Sequence, residues 1–149
     1  MIDIETILSE WEQDSKIDQN ALDATTIECA VLHQRYLKYY TRAKLLVKKA
    51  EAEQARLQLD KYLYYTGKMS RADMDKRGWD YDPFKGLTKP LKSELELWMK
   101  ADPDIEKCDL KVEVAKETAN ALKEILDTLR WRNQSIKNII DWRRFQAGS

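Results

Sequence analysis

Residues 103–130 read PDIEKCDLKVEVAKETANALKEILDTLR, and the spacing of their apolar residues indicates the type of fold. Its apolar side chains recur at alternating intervals of three and four residues, which is the heptad spacing of a helix that buries one seam. The seam positions are Ile105, Cys108, Val112, Ala115, Ala119, Leu122, Leu126 and Leu129. Beyond a polar Asn133 the register continues through Ile136 and Ile140. The sequence therefore predicts one long helix in this half of the chain.

The first half of the chain repeats the pattern. No glycine or proline occurs from Ala21 to Tyr65, and the heptad positions there are Cys29, Leu32, Tyr36, Tyr39, Ala43, Leu46, Ala50 and Leu57. Gly67 has the residue type expected just past a helix C-terminus. The pair Asp102-Pro103 has the types expected at an N-cap and at the first helical position. We therefore expect two long heptad helices, one in each half.

The remaining segments are shorter. Ile4, Ile7 and Trp11 have amphipathic spacing, which predicts a helix that ends near Asp14. Residues 67–90 hold three of the four glycines and two of the three prolines, so we expect a loop there. Pro90 can open a further short helix, and its apolar face would consist of Leu91, Leu95 and Trp98.

These elements predict an all-α fold in a single helical domain, residues 1–149. Its parts are an acidic N-terminal helix with a long basic helix (1–66), a Gly/Pro-rich loop (67–90) and C-terminal helices (91–149). A 45-residue helix is about 67 Å long, whereas a compact chain of this size has a radius of gyration of about 15 Å. We therefore expect an elongated subunit that buries its remaining apolar surface by self-association.

Composition narrows the possible chemistry. The 149 residues include one histidine, His33, and neither GxxxxGK[ST] nor GxGxxG occurs, so we expect no catalytic residues, metal or cofactor, and no enzymatic activity. Cys29 and Cys108 both fall in the heptad seams and are expected to be core thiols. No apolar run exceeds four residues and the N-terminus is acidic, which predicts a cytoplasmic protein with no membrane partner.

The charges are balanced in number but not in position. The chain has 26 basic and 26 acidic residues, yet residues 1–28 hold eight acids and one base. Residues 35–49 hold six bases and no acid, and residues 130–149 hold five bases and one acid. Such asymmetry indicates either a surface for a polyanion or opposite charges that meet between subunits.

A basic stripe is the first candidate site. It lies about 100° from the buried seam and consists of Arg35, Lys38, Arg42, Lys49 and Arg56. Tyrosines surround it at positions 36, 39, 40, 62, 64 and 65. Cations that track phosphates and rings that stack on unpaired bases are typical of single-stranded nucleic-acid binding. The alternative is a solvated coiled-coil flank that faces an acidic neighbour.

A C-terminal cluster is the second candidate. It comprises Arg130-Trp131-Arg132 and Trp142-Arg143-Arg144-Phe145. These residues could hold nucleic acid or an acidic partner. The favoured interpretation is an interface in which Trp142 and Phe145 are the packing anchors and the arginines form ion pairs at its rim.

Two stretches carry a resemblance. Leu63-Tyr64-Tyr65-Thr66-Gly67 and the C-terminal pattern Ile136-Lys137-x-Ile-x-Asp141-x-Arg143-x-Phe145-x-Ala147-Gly148 resemble the UvsY recombination mediator family of large tailed phages, and the likeness extends over nearly the whole chain. The resemblance implies a non-enzymatic factor that forms ring-like homo-oligomers of six or seven subunits. It also implies binding to single-stranded DNA and assistance to a RecA-like recombinase in displacing single-strand-binding protein.

The resemblance also implies where DNA binds. In the family motif Lys-Ala-Arg-Leu-x-Tyr-Tyr-x-Gly, Lys61 stands at the position of the arginine, while Leu59 and Asp60 depart from the pattern. Arg56 and Lys68 are placed to compensate. Together with the basic stripe, the predicted DNA-binding set is Arg35, Lys38, Arg42, Lys49, Arg56, Lys61, Tyr64, Tyr65 and Lys68, in which the two tyrosines stack on bases or fix the loop.

The resemblance also implies that the C-terminal helices, residues 91–149, carry oligomerisation, here through Leu129, Ile136, Ile140, Trp142 and Phe145. The alternative to a recombination mediator is a coiled-coil adaptor that binds only protein partners. A salt-sensitive affinity for DNA distinguishes the two.

Overall fold

A computed structural model describes residues 3–148, and the helices account for most of this range. The elements are α1 (Ile4–Asp14), α2 (Leu22–Tyr65), α3 (Arg71–Arg77), α4 (Lys92–Lys100) and α5 (Pro103–Gln146). The described residues contain no strand, and the predicted all-α fold is confirmed. Within the same residues, no helix combines the length and apolar character needed to cross a membrane.

The two long helices follow the predicted heptads. α2 and α5 contain 44 residues each, and their seam side chains are buried or half-buried. The Asp102 carboxylate caps α5, accepting hydrogen bonds from the backbone N–H groups of Asp104 (2.9 Å) and Ile105 (3.2 Å). Where Asn133 interrupts the seam, the neighbouring Arg132 is the buried residue, 4% exposed.

One compact unit combines residues up to 46 with residues from 115 onward. In it, α1 packs on α2, and the Trp11 and Tyr36 rings meet edge to face at 5.6 Å. The Arg132 guanidinium donates to the backbone carbonyls of Asp14 and Lys16, both at 2.6 Å. These two bonds tie the turn after α1 to α5.

The other unit comprises residues 47–114. Its aromatic core, here called the tyrosine cluster, is formed by Tyr64, Tyr65, Met74 and Phe84, with Met69, Trp79, Leu95, Trp98 and Met99 packed around it. Polar contacts join α2 to α5 within this unit: Gln54 donates to Asp109 (2.7 Å) and Lys111 to Glu53 (2.8 Å). Glu53 occupies the heptad position between Ala50 and Leu57, and its contact with Lys111 compensates the charge there.

The structure differs from the sequence-based expectation at two places. Residues 67–90 contain a helix, α3, whose N-cap is Ser70, since its hydroxyl accepts from the Asp73 N–H at 3.2 Å. The helix expected to open at Pro90 begins two residues later, because the Glu94 carboxylate accepts from the Leu91 N–H at 3.0 Å and makes Leu91 the N-cap. Leu91 itself is 70% exposed and lies outside the apolar face.

Candidate nucleic-acid interface

The basic stripe of α2 lies at the protein surface. In the unit that contains residues up to 46, Arg35, Lys38 and Arg42 are exposed. Arg35 is engaged, since it pairs with the Asp14 carboxylate and lies 5.2 Å from the centre of the Tyr36 ring. Lys38 and Arg42 make no ion pair with any residue that the structure describes. These two cations are therefore available to an anionic partner.

The tyrosines beside these cations are structural. Tyr36 is fully buried and donates to the Asp14 carboxylate at 2.7 Å, and Tyr39 donates to Glu10 at 3.2 Å. Burial raises the pKa of Tyr36 to about 12, because the charged phenolate would lose its hydration. Tyr40 is only half-buried, with the Lys44 ammonium 4.8 Å from its ring centre. Tyr36 and Tyr39 hold α1 in place and are not free to stack on bases.

In the unit of residues 47–114, Lys49 and Arg56 are exposed as well. Both lie near the Glu53 carboxylate, which is hydrogen-bonded to Lys111. The Lys111 hydrogen bond and charge lower the pKa of Glu53, with smaller contributions from Lys49 and Arg56. One acid therefore faces several cations here, and its charge is already compensated by Lys111.

Lys61 is the predicted DNA contact that the structure places inside the fold. Its side chain is 5% exposed, and the ammonium lies 2.9 Å from an oxygen of Asp102 and 2.9 Å from one of Asp104. The same ammonium is 3.9 Å from the centre of a Trp79 ring. DNA binding by Lys61 stays a prediction, but here its charge is neutralised within the chain.

Asp102 is the centre of this buried network. The carboxylate oxygen that pairs with Lys61 also accepts from the Tyr65 hydroxyl at 2.6 Å. Burial alone would raise the pKa of Asp102, but hydrogen bonds from Tyr65, Lys61 and the Ile105 N–H outweigh it and lower the pKa. Burial and the same carboxylate raise the pKa of Tyr65. The network thus favours the charged carboxylate of Asp102 and the neutral phenol of Tyr65.

Tyr64 completes the tyrosine cluster. It is 6% exposed and donates to the Asp80 carbonyl at 2.7 Å, and its ring lies 5.0 Å from that of Trp79. Tyr64 and Tyr65 therefore hold the segment that follows α2, which is one of the two roles that the sequence allowed for them. Lys68, the last residue of the predicted DNA-binding set, is exposed and lies 5.7 Å from the Tyr62 ring centre.

The residues assigned to oligomerisation divide into two groups. Leu129 and Ile136 are 3% and 2% exposed, so they serve the core of the chain, and Ile140 is half-buried. Trp142 and Phe145 are 58% and 73% exposed, with their rings stacked at 5.6 Å. Of the five residues assigned to oligomerisation, these two aromatic side chains are the exposed ones.

The burial of Lys61 was not predicted, although its spacing from two apolar residues of α2 indicates it. Leu57, Lys61 and Tyr64 are spaced four and three apart, so a helix face that buries the first and last also turns position 61 inward. Asp102 was identified only as a cap. Its contacts to Lys61 and Tyr65 join residues about 40 positions apart in the chain, and local sequence patterns do not predict contacts at such a separation.

The fold and this surface define a class: an all-helical protein whose longest helices each bury one seam and whose α2 presents exposed cations. The sequence matches the family described as recombination, repair and ssDNA binding protein UvsY over residues 10–149. The chain belongs to the UvsY family.

Similar proteins agree with this assignment. The chain is 26% identical to the recombination protein uvsY of Enterobacteria phage T4 over 145 residues, which cover 97% of this chain and 98% of that protein. Two crystal structures of the bacteriophage T4 recombination mediator protein UvsY share the fold. One has a TM-score of 0.81 at 22% identity and covers 99% of both chains. The other has a TM-score of 0.73 at 21% identity and covers 97% of this chain and 99% of that one.

Proposed function

We propose that this chain is a non-enzymatic recombination mediator that acts as a ring-like homo-oligomer of six or seven subunits. It binds single-stranded DNA and helps a RecA-like recombinase to replace single-strand-binding protein on the strand. No cofactor takes part. The site of action is the cytoplasm of an infected bacterial cell. Membership of a family of recombination, repair and ssDNA-binding proteins supports this proposal.

The observation that carries the DNA-binding part is the free pair Lys38 and Arg42. Both are exposed, four residues apart on one helix face, and unpaired among the described residues. A protein-only coiled-coil flank is expected to pair such charges with acids. Cations left unpaired suit phosphates, because each neutralised phosphate releases a counterion.

A modest site of this kind becomes effective by repetition. Two to four cations per chain give weak binding, but a ring presents the same set several times to one strand, and the combined affinity far exceeds that of one subunit. Each subunit can still release its own stretch. A mediator needs this combination, because it must hold the strand and give it up locally to the recombinase.

The test is fluorescence anisotropy of a labelled single-stranded oligonucleotide at several salt concentrations, on protein sized by light scattering. We expect the affinity for the single strand to fall as the salt concentration rises, and we expect duplex DNA to be a poor competitor. The double variant Lys38→Ala, Arg42→Ala is expected to lower the log–log salt slope by about 1.4 per engaged subunit, at about 0.7 per phosphate contact on a single strand.

The matched control is Lys107→Ala, Lys123→Ala, which removes two exposed cations of α5. It should leave the slope unchanged. If the wild-type oligomer does not bind single-stranded DNA at low salt, the mediator function is refuted and the protein-binding adaptor is favoured. If the two double variants have the same salt slope, the assignment of DNA binding to Lys38 and Arg42 is refuted, but the mediator proposal is not.

A further inference from the structure

We infer that the segment 62–81 carries a base-stacking site, built from the exposed rings of Tyr62 and Tyr81 with the cations Lys68 and Arg71. This inference rests on the proposed function, since it specifies where unpaired bases of the strand are held. The stacking role that the sequence suggested for Tyr64 and Tyr65 passes to two other tyrosines.

Exposure distinguishes these rings from the rest of the segment. Tyr62 is 47% exposed and Tyr81 is 53% exposed, whereas Tyr64 and Tyr65 are each 6% exposed. Trp79 is half-buried and packs against Tyr64. Only an exposed ring face can accept a base.

Each exposed ring has its own cation. The Lys68 ammonium lies 5.7 Å from the Tyr62 ring centre, and the Arg71 guanidinium carbon lies 4.9 Å from that of Tyr81. Neither cation forms an ion pair with a described residue. Arg77, by contrast, pairs with Asp60. Residues 68–92 hold seven bases and four acids, so the surroundings favour an anion.

A nucleic-acid base can replace the cation on each of these tyrosine rings. Base–aromatic stacking is stronger than a cation–π contact at an exposed site. A base can therefore take the ring face from the cation, and the released cation can move to the adjacent phosphate. Lys68 and Arg71 are three residues apart, so their Cα atoms lie within about 11 Å of each other. One flexible strand can contact both pairs.

One member of each pair is held by a hydrogen bond. Gly67 has φ of +74° and ends α2, with Lys68 N–H donating to the Leu63 carbonyl at 2.9 Å. This Schellman arrangement fixes the direction in which Lys68 leaves the helix. The Tyr81 hydroxyl donates to the Asp75 carboxylate at 2.8 Å, which orients the ring. Ordered rings lose little conformational entropy on binding.

The experiment compares an oligothymidine strand with a strand of equal length that is abasic, using the full chain. Tyr62→Ala, Tyr81→Ala should lose at least about five-fold in affinity for oligothymidine, the lower end of one stacking interaction. Affinity for the abasic strand, which has phosphates but no bases, should not change. Tyr62→Phe, Tyr81→Phe keeps both rings and should bind both strands like the wild type, which also controls for loss of the Asp75 contact.

The outcomes separate this inference from the proposed function. If the wild type binds oligothymidine and the alanine variant binds it equally well, the stacking site is refuted and the mediator stands. An equal loss on both strands, or a loss in the phenylalanine variant as large as that in the alanine variant, also refutes stacking. If the wild type binds neither strand, both proposals fall.

Discussion

Lys61→Ala provides the sharpest test of the buried network. The substitution removes the ammonium from between two carboxylates and leaves Asp102, whose side chain is 3% exposed, without its counter-charge. Removing one partner of a buried ion pair costs about 3–5 kcal/mol. Asp104 adds little, because its side chain is 54% exposed and exposed pairs contribute about 0–1 kcal/mol.

The remaining contacts place the loss at the lower end. Asp102 keeps the Tyr65 hydroxyl and the N–H groups of Asp104 and Ile105, so its charge is not wholly unsatisfied. We expect a loss of about 3 kcal/mol in the free energy of unfolding. For a chain of this size that corresponds to a fall in Tm of about 6–12 °C.

Thermal and urea unfolding, followed by circular dichroism at fixed protein concentration, measure the effect. Lys68→Ala is the control, because Lys68 is exposed and forms no ion pair with a described residue. Its Tm should stay within about 2 °C of the wild type, in keeping with an exposed position. A Lys61→Ala variant with wild-type stability and reduced DNA affinity would refute the structural role and support direct contact with the strand.

Two further predictions concern the other unit and the C-terminus. The pKa of Tyr36 is raised to about 12 by burial, so its contribution to stability is complete below pH 10 and is lost as the pH rises from about 10 to 12. Tyr36→Phe should flatten the pH dependence of unfolding in that window, and an unchanged slope would contradict the assignment. Trp142→Ala, Phe145→Ala should lower the mass measured by light scattering at equal concentration while the helix content is retained, because the removed rings are exposed. The same mass as the wild type would exclude these rings as interface anchors.

The heptads were the most predictable part of the fold. The spacing of Ile105, Val112 and Leu122 is a local property, and a helix that buries one seam has few other solutions. The capping signal at Asp102 predicted the start of α5 for the same reason. The helix α3 was hidden because its seven residues lie between glycines, and the Ser70 cap has no apolar repeat after it.

The candidate site was predictable only in part. The exposure of Lys38 and Arg42 followed from their register relative to the seam. The placement of Tyr62 and Tyr81 on the surface did not, since an aromatic segment offers several ways to choose which rings are buried. That choice depends on packing around Met74 and Phe84, which lie 12 and 22 residues after Tyr62 in the chain.

Asp102 has a consequence for the dynamics of the chain. Helix ends are ordinarily the first places to fray, because their last backbone groups lack partners. Here one carboxylate serves the first turn of α5 and, through Lys61 and Tyr65, the last turns of α2. Neither end can open without breaking bonds of the other. We therefore expect the two termini to exchange their amide hydrogens as one cooperative unit, with the contacts at Asp102 among the slowest to open within residues 47–114.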